Sequence, residues 1–318
     1  GTGFVQKLTI SNTNSADTKE SGIAADWNND GADDIWLKKP SGDTEYLFSY
    51  VPEVITTVTN GIGITTTATY DRLNKNGAFY TKCTNGTYYC GDPYPTIDLD
   101  GPLYAVSRID SGNGQGPCAP PIPANCYSSS YSYVAAVADL SGRGFQGFQQ
   151  IIVTDLQTNI VQTTTYRLDF PFTGLVASQT KTLGAVTLNS ASNVYEEVSL
   201  GAGLDAVNRW FVGLHQTIAM SNDYDGTTTY AMPTLTTSYV YDCDTGSPSI
   251  CSGTSPTGFG NATQVTSAET YTSDNATKVV TNTFDNDTTN WFLGRLLTAN
   301  IQSTVNAMPV LSRHTSYT

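Results

Sequence analysis

A chain of 318 residues with 39% hydrophobic content is long enough for two or three domains and rich enough to build cores. Its 28 acidic against 15 basic residues give a net charge of −13 without any Lys/Arg cluster, which argues against nucleic acid and anionic membrane surfaces as partners. The longest apolar run, around Val134 to Ala138, falls far short of the ~20 residues a membrane-spanning helix needs, so no membrane insertion is expected.

Thr-rich and Tyr-rich stretches suit pleated sheets, so the expected fold is all-β. The chain opens on a strand-like Phe4 to Ile10, and both ends fit an expectation that this is a segment of a longer polypeptide. Asp26-Trp27-Asn28-Asn29-Asp30-Gly31-Ala32-Asp33-Asp34 then places oxygen-bearing residues at positions one, three, five and nine of a tight turn. Asp26, Asn28, Asp30 and Asp34, with the Ala32 carbonyl, make a candidate set of calcium ligands, and Gly31 permits the backbone reversal. An EF-hand is excluded, because position twelve is Leu37 and Ile35-Trp36-Leu37 reads as a strand. A plain Asp/Asn/Gly turn is the competing reading.

Residues 1–50 read as one blade-sized β unit. Val54 to Thr59 and Ile64 to Tyr70 flank Asn60-Gly61 as a hairpin. From about Arg72 to Tyr127 the composition predicts a long loop region with short strands, holding the first four cysteines within 83–126. Two strands, Ile151 to Val153 and Tyr166 to Phe170, are joined across Asp155 to Asn159. A further hairpin is expected around Asp223 to Gly226. The segment Asn193 to Leu200 is the sole helical candidate. Strands then recur around Tyr239 to Tyr241, Ala262 to Val265, Lys278 to Phe284, Arg295 to Gln302 and Val310 to Thr318. The domains so defined are 1–50, 51–185 and 186–318.

The six cysteines fall as close pairs, Cys83 with Cys90, Cys118 with Cys126, and Cys243 with Cys251, inside turn-rich loops. That spacing favours three local disulfides and an oxidising, secreted or cell-surface location. Zinc is the alternative, but no C-x-x-C and no nearby His supports it.

Several segments resemble known families. The loop at 26–34 is similar to the D-x-[DN]-x-D-G-x-x-D loop of FG-GAP/VCBS propeller blades. Ile55 to Tyr70 resembles a stretch in the middle region of Tc-toxin B-components and Rhs/YD-repeat proteins. So does the run from Tyr131 and Tyr133 through Gly142-Arg143-Gly144-Phe145 and Gly147-Phe148 to Phe170-Pro171 and Gly174. Tyr241-Asp242, Gly260-Asn261-Ala262-Thr263 and Trp291 to Leu296 look like YD-repeat elements. The resemblance implies a propeller-blade-like calcium piece, then an antiparallel, sandwich-like middle region running into YD-repeat-like strands. The cysteine-rich inserts depart from that pattern.

Chemistry is sparse. Only His215 and His314 are present, and no G-x-S-x-G, H-E-x-x-H or P-loop occurs. Asp98, Asp100, Asp223 and Asp225 sit in apparent turns, and Glu196-Glu197 would face opposite ways on a strand. Arg143 reads either as an anion clamp or as a turn residue covering a sheet edge. Tyr88, Tyr89, Tyr94 and Tyr127 are candidates for a recognition surface, against a plainer role in packing. The expected function is a non-catalytic scaffold segment of a large secreted protein, partnered by further segments of its own polypeptide or identical neighbouring subunits. The alternatives are a module binding glycans or a cell surface, and a carbohydrate-active enzyme.

Overall fold

The computed structural model describes residues 21–38, 42–48, 53–75, 78–82, 94–116, 118, 125–202, 208–242, 259–271, 274–306 and 308–317. Among them the protein is all-β, with antiparallel sheets and no helix. A small sheet joins β1 (Ser21–Ala25), β2 (Asp34–Lys38) and β3 (Thr44–Tyr46) in that order. Trp27 and Trp36 meet edge to face across it, ring centres 5.3 Å apart.

The large sheet begins with β4 (Thr57–Thr59) and β5 (Thr65–Arg72), the predicted hairpin. The turn between them spans residues 60–64: Asn60 N–H donates to the Ile64 carbonyl, and the Asn60 side chain accepts from Ile62 and Ile64 N–H. Two short strands, β6 (Tyr80–Thr81) and β7 (Thr96–Asp98), precede β8 (Tyr104–Gly112) and β9 (Cys126–Asp139). β8 is a full nine-residue strand within a stretch expected to be mostly loop. It pairs with β5 on one side and β9 on the other.

Long hairpins follow: β10 (Gly144–Asp155), β11 (Ile160–Tyr166), β12 (Val176–Leu183), β13 (Val186–Ala202) and β14 (Asn208–Tyr224). The sole helical candidate, Asn193 to Leu200, lies in the second half of β13, in antiparallel register with β14. Cross-strand pairing along two 17-residue strands outweighs the weak local helical pattern. β15 (Thr229–Ala231) pairs with the end of β14, and β16 (Thr234–Tyr241), β17 (Ala262–Tyr271), β18 (Asp274–Asp287), β19 (Phe292–Val305) and β20 (Leu311–Ser316) complete the sheet. Thus β12 and β13 pair directly across the 185/186 domain boundary expected from sequence.

The strand order can be drawn as a closed ring. However, no residue register joins β20 to β4 among the described residues, and every residue of both strands is exposed. Among the described residues the large sheet is therefore an open ribbon running β4, β5, β8, β9 and on to β20, with β6 (parallel) and β7 (antiparallel) held against β9.

The core lies at one end of this ribbon. Leu73, Tyr80, Tyr133 and Ala136 are buried together, with Phe79, Leu99, Phe148 and Ile151 packed around them. Ala135, Val137 and Leu168 form a second cluster. The apolar run at 134–138 is thus the centre of the fold. Beyond Phe172 no described side chain is fully buried; only Gly213 is. The described side chains of the C-terminal strands are otherwise half-buried or exposed.

Candidate functional site

In the acidic loop between β1 and β2, three of the expected residues, Asp26, Asp30 and Asp34, accept hydrogen bonds from backbone amides. Asp34 is fully buried and accepts the N–H groups of Trp27 (3.0 Å), Asn28 (3.3 Å) and Phe48 (2.7 Å). Asp26 accepts from Asp30 and Gly31 N–H, both at 2.8 Å, and Asp30 accepts from Ala32 N–H at 2.9 Å. Asn29 (φ 53°) and Gly31 (φ 92°) make the left-handed reversal. In this conformation backbone amides engage the carboxylates, and among the described residues no three acidic, His or Cys groups converge in a metal-ligating arrangement.

The back of the loop is held by the large sheet. Arg72 Nη1 donates to the Asn29 carbonyl at 3.1 Å, Asn74 Nδ2 donates to the same oxygen, and Tyr104 Oη donates to the Asp30 carbonyl at 3.3 Å. Sequence reasoning missed these partners, which lie 43 to 74 residues away.

Cys118 and Cys126 form a disulfide with Cα atoms 5.4 Å apart, the latter at the start of β9. The pairs Cys83–Cys90 and Cys243–Cys251 lie outside the described residues, as do Tyr88 and Tyr89. Tyr94 and Tyr127 are exposed, at 79% and 67%. They do not share a surface. Tyr94 lies two residues before Thr96, which pairs with Asp139 at one end of β9, whereas Tyr127 lies at the other. Twelve residues of strand separate those ends, about 40 Å at ~3.3 Å per residue.

Tyr80 and Tyr133 belong to the core. Tyr80 Oη has one proton to share between two acceptors in reach, Asp98 Oδ1 (3.0 Å) and the Leu99 carbonyl (2.9 Å), and accepts from Ala136 N–H (3.0 Å). Burial pushes its phenol well above the ordinary range, and pushes that of Tyr133 up to about 12.

The other singled-out groups are distributed along the sheet. His215 Nδ1 lies 2.9 Å from Glu196 Oε1 on the neighbouring strand, an ion pair when the imidazole is protonated. Asp225 caps Thr227 and Thr228 N–H, which holds its carboxyl below the usual range. Asp100 pairs with Lys82 at 3.4 Å. Arg143 stacks 3.7 Å above the Phe170 ring, with Asp139 Oδ2 3.7 Å from its Nη1, and thereby ties the β9–β10 turn to the β11–β12 turn. A narrow cleft of about 190 Å³ beside it is lined by Thr96, Gln146 and Asp169 among others.

One polar network was not anticipated. Asp242 Oδ2 accepts from Asn261 Nδ2 at 2.7 Å, and the same amide reaches Asn286 Oδ1 at 3.2 Å, linking two successive turns. Its sequence signal is an Asp or Asn at a strand end followed by a left-handed Gly at the start of the next strand.

No protein-family model matches this chain, and no curated protein matches it. Its fold is similar to that in the crystal structure of TcdB2-TccC3, with a TM-score of 0.59 at 10% sequence identity. That likeness covers 91% of this chain and 17% of the other, so the chain spans less than a fifth of the protein it matches. The fold is Tc-toxin-like.

Proposed function

We propose that this chain is a non-catalytic structural segment of a large, secreted Tc-toxin-B-like or Rhs/YD-repeat protein, forming part of the wall of a shell, fibre or surface assembly. The observation that carries this reading is the fold likeness over 91% of the chain to a fraction of a much larger polypeptide. The architecture supports it. Among the described residues no side chain beyond Phe172 is fully buried, and no register pairs the outer edge of β4 or of β20, whose residues are all exposed. Such edges favour a neighbouring strand, from the same polypeptide or an identical subunit.

A structural Ca²⁺ held by Asp26, Asn28, Asp30, Asp34 and the Ala32 carbonyl belongs to the same proposal. Of the four carboxylates in this loop, three belong to that set, two of them on largely buried residues (Asp30, 7% exposed, and Asp34), and a cation would offset their repulsion. Binding would require Asp26 or Asp34 to exchange amide hydrogen bonds for the cation. The loop would then fasten the small sheet to the large one through Arg72, Asn74 and Tyr104. The Cys118–Cys126 disulfide supports an oxidising destination.

Amide hydrogen exchange tests the assembly reading. In the full-length polypeptide the outward amides of β20 are expected to be protected, and in the isolated 318-residue chain to exchange freely. Free exchange in both would overturn it. So would glycan-cleaving activity that disappears on replacing a carboxylate pair.

A further inference from the structure

Two turns at the same end of the ribbon are built alike. Between β16 and β17, Asp242 Oδ1 accepts the N–H of Gly260 at 2.8 Å and of Asn261 at 3.1 Å. Between β18 and β19, Asn286 Oδ1 accepts the N–H of Gly294 at 2.8 Å. Both glycines are left-handed, with φ of 78° and 74°. In the first turn the residue after the glycine reaches forward: Asn261 Nδ2 donates to Asn286 Oδ1. Gly294 sits close beneath it, since an added Cβ would lie 3.0 Å from Asn261 Oδ1. The first turn is thus covered by the second.

The second turn has no such cover among the described residues. Arg295 follows Gly294 as Asn261 follows Gly260, and its half-open guanidinium pairs with Asp285 while staying 66% exposed. Trp291 and Phe292 are 71% and 68% exposed. Trp291 also holds φ at 61°, an unfavourable conformation for a bulky residue that calls for a reason. A cleft of about 570 Å³ is lined by Asp285, Asp287, Trp291, Phe292, Leu293 and Arg295. β20 leads towards this cleft: Ser316 pairs with Thr298, and Tyr317 N–H donates to the Leu297 carbonyl at 2.8 Å. Continuing that antiparallel register carries the polypeptide past Leu296 and Arg295.

We propose that this cleft docks a third turn of the same build, supplied by the polypeptide following β20, with its strand-end Asp or Asn oxygen held by Arg295 and its apolar side chains covering Trp291 and Phe292. The proposal rests on the assembly reading above. Its occupant is set by what the first turn already receives, an Asn oxygen and a close-packed glycine turn, and by the Arg295 guanidinium, which stays two-thirds exposed beside its partner Asp285.

Hydroxyl-radical footprinting by mass spectrometry compares the full-length polypeptide with the 318-residue chain, with β20 hydrogen exchange read in the same samples. Trp291 and Phe292 should oxidise several-fold more slowly in the full-length protein. Arg295→Gln, an exposed change, should restore their oxidation there without altering the circular dichroism of the 318-residue chain. Protected β20 amides with unchanged Trp291 oxidation would overturn the docking while leaving the assembly reading intact. Loss of both protections would overturn both. Trp291 protection that survives Arg295→Gln would remove Arg295 from the contact, and protection appearing only on adding a second copy or a soluble glycan would refute the same-polypeptide occupant.

Discussion

Tyr80 shows how much one hydroxyl holds in this fold. Its Oη accepts the Ala136 N–H and shares its one proton between the Asp98 carboxylate and the Leu99 carbonyl, joining β6, β7 and β9 inside the core. Tyr80→Phe keeps the ring and strands those partners, so it is expected to cost about 1–3 kcal/mol, measured as a lower denaturant midpoint at unchanged m. Asp110 plays a similar part on β8. Its buried carboxylate takes Arg108 Nε at 2.8 and 2.9 Å and Nη2 at 2.7 Å, and also accepts from the Ser128 hydroxyl. The Arg108 hydrogen bonds hold its carboxyl below the ordinary range. Because the folded value is the lower one, the resulting stabilisation is present above the unfolded carboxyl range and is lost as pH falls through it towards the folded value. Asp110→Asn should therefore flatten the acid limb of a stability-versus-pH curve. At neutral pH it should cost about 2–3 kcal/mol, discounted from a fully buried pair because Arg108 remains 23% exposed.

Strands were legible where apolar or Thr residues alternate, as at β5, β10 and β19, and where Asn-Gly or acidic turns punctuate them. β8 was hidden because its alternate positions carry Arg108 and Asp110, which look like loop residues until they neutralise each other across one face. The second half of β13 was hidden because Glu196 and Glu197 sit among helix-compatible residues, and only the facing β14 decides between the two conformations. The acidic loop was readable from spacing, whereas the sheet residues that grip its carbonyls were not, since nothing local announces a contact 74 residues away. At this scale Gly260→Ala is a sharp test: its Cβ would lie 2.4 Å from the Phe211 ring in a left-handed turn. We expect a loss of about 1–3 kcal/mol and faster amide exchange at the β16–β17 end. Reduction of Cys118–Cys126 should lower stability by about 2–3 kcal/mol, given its eight-residue separation, and should leave the C-terminal strands unchanged.

The whole molecule is divided between a packed end and a thin one. The N-terminal part of the ribbon has two buried clusters and receives the small sheet, whereas the strands after Phe172 form a layer that gains little from burial on its own. Such a division predicts uneven opening, with slow exchange at β9 and β10 and fast exchange from β16 onward in the isolated chain. If the acidic loop takes Ca²⁺, the chain should melt higher in millimolar calcium than in chelator, and Asp34→Ala should erase that difference; equal melting in both would remove the cation from the account. The most direct measurement is a structure of the full-length polypeptide by electron cryomicroscopy. The account predicts an additional antiparallel strand hydrogen-bonded along β20 and no solvated edge at Leu311–Ser316. A β20 edge facing open solvent in that structure, with this chain standing apart as a free module, would contradict it.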